Sequence, residues 1–176
     1  CNDMTLSTAT AALMTYHLAE GATGTFFDTD LLIVNPTDRG VLADVTFLPE
    51  NGVSIVQQHF VYAMSRLTLK LDDVPGLEGA SFSTIVAPRE DVPLAVERTM
   101  RWDATGDGGH TEKATEGPAA TWYFAEGSEG FFRTFLLLAN PHAEANVAHV
   151  QYLREGMPAI ARSYDLLPSS RRTIAA

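Results

Sequence analysis

The feature that most constrains the fold is an internal duplication, because two copies of one sequence pattern must be two copies of one structural unit. Thr15-Tyr16-His17-Leu18-Ala19-Glu20-Gly21 returns as Thr121-Trp122-Tyr123-Phe124-Ala125-Glu126-Gly127. Gly24, Phe26 and Phe27 return as Gly130, Phe131 and Phe132, and Thr29, Leu31, Leu32, Asn35 and Pro36 as Thr134, Leu136, Leu137, Asn140 and Pro141. Val45, Leu48, Glu50 and Gly52 match Val150, Leu153, Glu155 and Gly156, and Ser65-Arg66 matches Ser170-Arg171. The offset drifts only between 104 and 106 residues, and each shift falls in a turn-like stretch.

Within the first copy the apolar residues alternate with a period of two, the pattern of half-buried strands. Leu67, Leu69 and Leu71 alternate with Arg66, Thr68 and Lys70, and Ala43, Val45 and Phe47 with Asp44 and Thr46. Leu94, Val96, Met100 and Trp102 form a third such row. Turn signals separate the rows at Asn35-Pro36-Thr37-Asp38, Pro49-Glu50-Asn51-Gly52, Pro75-Gly76 and Pro88-Arg89-Glu90-Asp91. Seven strands are expected near residues 15–19, 28–35, 41–48, 53–61, 65–71, 81–87 and 92–102. That number and spacing predict an all-β, Ig-like antiparallel sandwich. The organisation expected is a tether over residues 1–14, a complete repeat over 15–102, a Gly/Asp/Glu/Thr-rich linker over 103–119 and a partial repeat over 120–176. Nothing in the second copy corresponds to residues 77–102, so its last two strands are missing.

The shortfall would leave one core face and a sheet edge uncovered, an invitation to strand addition. Three covers are open. The chain continues as an array, a partner subunit or neighbouring repeat completes the second sandwich, or the N-terminal segment folds back. For the last, Leu6-Ser7-Thr8-Ala9-Thr10-Ala11 faintly echoes Phe82-Ser83-Thr84-Ile85-Val86-Ala87.

With 176 residues of which 45% are hydrophobic, the chain can build a real core. Its net charge of −10 argues against nucleic-acid partners, which require a basic stripe, and against a polybasic grip on lipid. The longest apolar run, Leu31-Leu32-Ile33-Val34, is strand-sized and far short of the ~20 residues that span a bilayer. Cys1 is the sole cysteine, so no intrachain disulfide forms. Cys1-Asn2-Asp3 followed by the Ser/Thr/Ala-rich residues 5–12 is the pattern of a mature bacterial lipoprotein, with Cys1 as the lipid-attachment residue; the alternative is a fragment boundary falling on Cys.

The strings also resemble the tandem repeats of bacterial surface and secreted proteins, notably those of actinobacteria and Chloroflexi-like thermophiles. Their signature is WYFAEG, then FDTYLLLxNP, SRxT, VPGL, FST and VxERxMxW, before a GGH loop. Here the matching stretches are Trp122 to Gly127, Phe27 to Pro36, Ser65-Arg66, Val74 to Leu77, Phe82 to Thr84, Val96 to Trp102 and Gly108 to His110. The resemblance implies an Ig-like extracytoplasmic module, often in arrays, with no assigned chemistry. The first copy departs from it at Tyr16-His17-Leu18, which implies a terminal, atypically packed strand.

Residues that could carry chemistry have bland readings beside them. None of His17, His59, His110, His142 and His149 lies in a nucleophile motif, and Gly-x-Ser-x-Gly is absent, so no enzyme is expected. Glu20 recurs as Glu126, and recurrence in every copy favours a structural role. Such a role is capping a turn or pairing with Arg98, which sits in the otherwise apolar row of residues 94–102 and needs a partner if buried. Asp103, Thr105 and Asp107 follow the spacing of a calcium loop, but Ala114 stands where its bidentate Glu belongs; a solvated loop is the simpler expectation. Phe26, Phe27, Phe131, Phe132, Trp122 and Tyr123 could form a sugar-binding strip, against the expectation that they pack in core and interdomain positions. No cofactor is expected. The sequence thus predicts a non-catalytic module outside the cytoplasm, periplasmic or at the cell surface. It would be membrane-anchored through Cys1 and serve in adhesion or surface assembly, or as an extrinsic accessory subunit of a membrane complex; a carbohydrate-binding module is the third reading.

Overall fold

The structure, a computed structural model, describes residues 13–102, 107–125, 127–128, 130–131 and 133–176. The expectations on Cys1, on the Leu6–Ala11 echo and on Asp103 and Thr105 therefore lie outside the described residues, as do Glu126 and Phe132. The fold is an antiparallel all-β sandwich. Its strands are β1 (Tyr16–Leu18), β2 (Phe27–Asn35), β3 (Val41–Pro49), β4 (Ile55–Val61), β5 (Ser65–Lys70), β6 (Phe82–Pro88), β7 (Ala95–Trp102), β8 (Gly108–Lys113) and β9 (Thr115–Glu116). A 3-10 turn, Leu71–Asp73, leads out of β5. One sheet runs β4-β3-β6-β1-β9 and the facing sheet β5-β2-β7-β8. The chain steps between the sheets after β1, β2, β4, β5, β6 and β8, and β6 and β7 fill equivalent central places in opposite layers.

The period-two rows become the two inner faces. Val41, Ala43, Val45 and Phe47 of β3 are wholly buried, as are Leu31 and Ile33 of β2, while the residues between them are partly exposed. Phe47 and Phe82 meet edge to face with centroids 5.8 Å apart, a favoured aromatic arrangement. Tyr16 is buried in the same core, and its hydroxyl accepts a hydrogen bond from Leu94 N at 2.7 Å, so its polar end is not orphaned. β1 is no edge: it is bracketed by β6 and β9.

Two of these strands come from the stretch expected to be a linker. Residues 108–113 pair with β7 from Glu97↔Lys113 to Trp102↔Gly108, and Thr115–Glu116 pair with β1. Both are edge strands held by backbone bonds, with side chains largely in solvent, so no alternation of apolar residues marks them. Ala114, between them, turns into the core.

The second copy supplies β10 (Phe135–Asn140), β11 (Asn146–Arg154), β12 (Met157–Leu166) and β13 (Ser170–Ala175). β10 pairs with β13 as β2 does with β5, and β11 with β12 as β3 does with β4. The equivalence extends to single atoms. Asn35 faces Ser65, donates from Nδ2 to Arg39 O and Val61 O, and accepts from Thr37 N; Asn140 faces Ser170, donates to Glu144 O and Leu167 O, and accepts from His142 N. The same corner is closed before β5 and β13 by Met64 (φ 49°) and Ser169 (φ 46°), both left-handed.

What the second copy lacks, among the described residues, is any strand in the places of β6 and β7. β10 and β11 each keep one unpaired long edge there. The burial follows: Leu136 and Leu138, equivalents of Leu31 and Ile33, are only half-buried, and Leu153 is 81% exposed where Leu48 is 2%.

A pair of equivalent glycines tests this difference. A Cβ on Gly21 would lie 2.5 Å from the buried Phe82 ring of β6, whereas one on Gly127 would meet nothing nearer than Thr134 Cγ2 at 3.8 Å. Gly21→Ala should cost about 1–3 kcal/mol in denaturant unfolding, the usual penalty of forcing extra volume into a packed core, and Gly127→Ala should leave the midpoint unchanged.

Candidate functional site

Among the described residues, arginine is buried at the seam where the second repeat meets the first. Arg98 stands at the middle of β7 on its inward face, and its side chain is 1% exposed. The register of β7 with β8 sets Glu112 directly opposite and His110 two residues along, and the segment after β1 brings Glu20 to the same point. Arg98 Nη1 donates to Glu20 Oε2 at 2.8 Å, and Nη2 donates to Glu112 Oε2 at 3.0 Å. His110 Nε2 lies 2.7 Å from Arg98 Nη2 and 3.0 Å from Glu20 Oε2. The one imidazole nitrogen thus faces both a guanidinium, which can only donate, and a carboxylate oxygen. Arg98 Nε is buried and has no hydrogen-bond partner among the described residues.

A second cation closes the seam from the other repeat. Arg171, in β13, has a side chain 4% exposed; its Nε donates to Ala19 O at 3.2 Å and its Nη1 to Glu50 Oε2 at 3.2 Å. Thr173 adds its backbone N–H to Glu50 Oε1 at 3.1 Å and its hydroxyl to Oε2 at 3.0 Å. Burial lowers the Arg171 pKa; Glu50 and Glu20 act to raise it, and Arg98 lowers it further. Ala19 and Glu20 thus lie between two guanidiniums, one from each repeat. The Glu50–Arg171 pair is a set of site residues that the sequence analysis missed. Both residues belong to the repeat, but the equivalent Arg66 is exposed, so their pairing has no signature in the pattern.

The remaining candidates fall elsewhere. Asp107 is the described member of the calcium spacing, and among the described residues no cluster of His, Cys, Asp and Glu could hold a metal ion. The aromatic residues of the second copy do not pack as core: Trp122 is 50% exposed where its equivalent Tyr16 is 2%, and Tyr123, Phe124 and Phe131 are exposed too. The reason is the missing β6-like strand, which in the first copy pairs with the strand carrying Tyr16. Phe26 is also half-exposed and meets Phe27 edge to face. Of the histidines, His17 sits by Thr15 Oγ1 (2.9 Å), His59 by Gln57 Oε1 (3.0 Å), and His149 Nδ1 by Ser163 Oγ (2.9 Å) on an exposed face. Among the described residues, the arrangement at His149 is a serine and an imidazole without the orienting acid of a nucleophilic triad. A depression lined by Asp28, Asp30, Lys70, Asp72, Asp73 and Arg101 is internally bonded: Asp72 accepts from Gly24 N and Thr29 N, and Arg101 pairs with Asp30 at 2.8 Å.

No known family profile matches the chain, and no curated protein matches it. Among solved structures it is similar to Thermotoga maritima 1070, at 17% identity and a TM-score of 0.54, over 61% of this chain and 97% of that one. It is also similar to the Anabaena sensory rhodopsin transducer, at 17% identity and a TM-score of 0.45, over 53% of this chain and 92% of that one. The likeness to the Thermotoga protein shows the fold alone. Among the described residues no helix is long and apolar enough to cross a membrane.

The seam generates a pair of contrasting expectations. Glu20→Ala leaves Arg98 buried with half its compensation, so it should lower unfolding stability by about 2–4 kcal/mol, toward the range for breaking a buried ion pair. Glu112→Ala removes a half-exposed partner and should cost under about 1 kcal/mol. Separately, the His17 pKa is lowered from 6.5 by burial and then by His142 of the second repeat. The unfolded chain therefore binds this proton more readily, so stability is fully present above pH 6.5 and falls as pH drops through the folded-state value. Thermal unfolding between about pH 7.5 and 5 should show that decline, and His17→Gln should reduce it, leaving the part due to His59, whose pKa burial also lowers.

Proposed function

We propose that this chain is a non-catalytic structural or interaction module that works outside the cytoplasm, is anchored to a membrane through an acylated Cys1, and engages its partner through the second repeat. The observation that carries the reading is the pair of unpaired edges on β10 and β11, beside core positions that remain half-buried. An edge of this kind is a template for another polypeptide strand, and the first repeat displays the form that such a completion takes. The seam supports the same reading, because Glu50, Arg171 and Thr173 tie the incomplete repeat to a complete one that stabilises it. The resemblance to extracytoplasmic repeats supports the address.

Amide hydrogen exchange tests the docking role. In the isolated chain, β10 and β11 should exchange much faster than β2 and β3, and in detergent-solubilised native membranes they should become protected. Equal exchange in both preparations would end the interaction reading. The address is tested by the mass of the native N-terminal peptide: acyl chains on Cys1 are expected, and an unmodified Cys1 in the soluble fraction would remove the anchor.

A further inference from the structure

We infer that β4 of the first repeat is a self-association surface: its outer edge pairs antiparallel with β4 of a second copy of this chain, about a twofold axis at Gln58. The surface lies on the first repeat, and the inference stands apart from the edges of the second.

Among the described residues, the two sheets of the first repeat end on four edge strands, β4 and β9 in one layer and β5 and β8 in the other. An edge offers unpaired backbone groups to any passing strand, and monomeric proteins blunt it with charge, proline, a bulge or brevity. Three of the four are blunted: β5 carries Arg66 and Lys70, β8 carries Glu112 and Lys113, and β9 is two residues long. β4, Ile55–Val61, is different. It contains no Lys, Arg, Asp, Glu, Pro or Gly, and its ladder to β3 runs without a shift from Val41↔Val61 to Phe47↔Ile55. Burial lowers the pKa of His59, so its imidazole adds little charge at neutral pH. The repeat pattern does not require such an edge, because β12, the counterpart of β4, contains Pro158, Arg162 and Asp165.

The sequence of β4 is complementary to itself. Residues directly opposed in an antiparallel pair share a face of the sheet, so a twofold axis perpendicular to the sheet passes at a residue rather than between two. With the axis at Gln58, the central residue, Val56 faces Phe60 of the second copy, Ile55 faces Val61, and Gln57 faces His59. Every apolar residue then meets an apolar one and every polar residue a polar one. On the outer face the match is β-branched against aromatic, a stabilising cross-strand pair. The neighbouring registers set Gln58 against Val56 or Phe60 instead. Val56, Gln58 and Phe60 are exposed, and exposed Tyr62 adds to the apolar patch, its ring meeting Phe60 edge to face at 5.0 Å. Asp44, across from Gln58 on β3, is paired with Arg89 at 2.9 Å and so sets no bare charge beside the axis.

The test uses the full chain and two exposed variants at the axis, Gln58→Lys and Gln58→Glu. Analytical ultracentrifugation of the wild type should give twice the 19.1 kDa chain mass. Each variant alone sets like charges opposite each other and should sediment as a monomer at concentrations where the wild type is dimeric. An equimolar mixture of the two should recover the dimer, which also shows that each variant folds. A monomeric wild type, a variant that stays dimeric by itself, or a mixture that stays monomeric overturns the inference.

Discussion

A guanidinium inside a sandwich core organises this molecule. Arg98 points inward from the centre of β7, and a cation there is tolerable only with anionic partners within hydrogen-bond reach. Glu20 and Glu112 supply them, which ties the segment after β1 and the edge strand β8 to the middle of the facing sheet. The consequence reaches the second repeat. Ala19, next to Glu20, offers its carbonyl to Arg171, and Glu50 at the end of β3 receives both Arg171 and Thr173. One buried charge in the first repeat thus shapes the surface on which the second is seated.

The two repeats show how one pattern behaves with and without its covering strands. Asn35 and Asn140 close the same corner with the same bonds, so the local structure of a half-sandwich forms whether or not the remainder is present. Packing does not follow local structure. Leu48 and Leu153, or Tyr16 and Trp122, share a place in the pattern and differ widely in exposure, because burial is conferred by β6 and β7 and these have no counterpart among the described residues after 120. At ~25 cal/mol per Å² of apolar surface removed from water, each large side chain left open is a sizeable driving force for association. This driving force, with backbone groups unpaired along two edges, is why the proposed docking role falls to the second repeat.

The similarity to a Thermotoga protein at 17% identity extends to the fold alone. Residues whose chemistry is satisfied within the chain, such as Asp72 by Gly24 and Thr29, belong to that scaffold.

The duplication, the all-β class and the seven strands of the first repeat were legible in the sequence, because period-two alternation and Pro/Gly/Asn turns act within a few residues of each other. Glu20 and Arg98 were also legible as a pair, since a charge in an apolar row demands compensation. β8 and β9 were not, because their edge positions need backbone pairing but no apolar face, and neither was the tie between Glu50 and Arg171. Arg66 and Arg171 occupy the same place in the repeat, one exposed and the other buried. Tertiary structure alone distinguishes them, because a side chain's environment is set by what lies across from it, and for Arg171 that is another repeat 121 residues away along the chain.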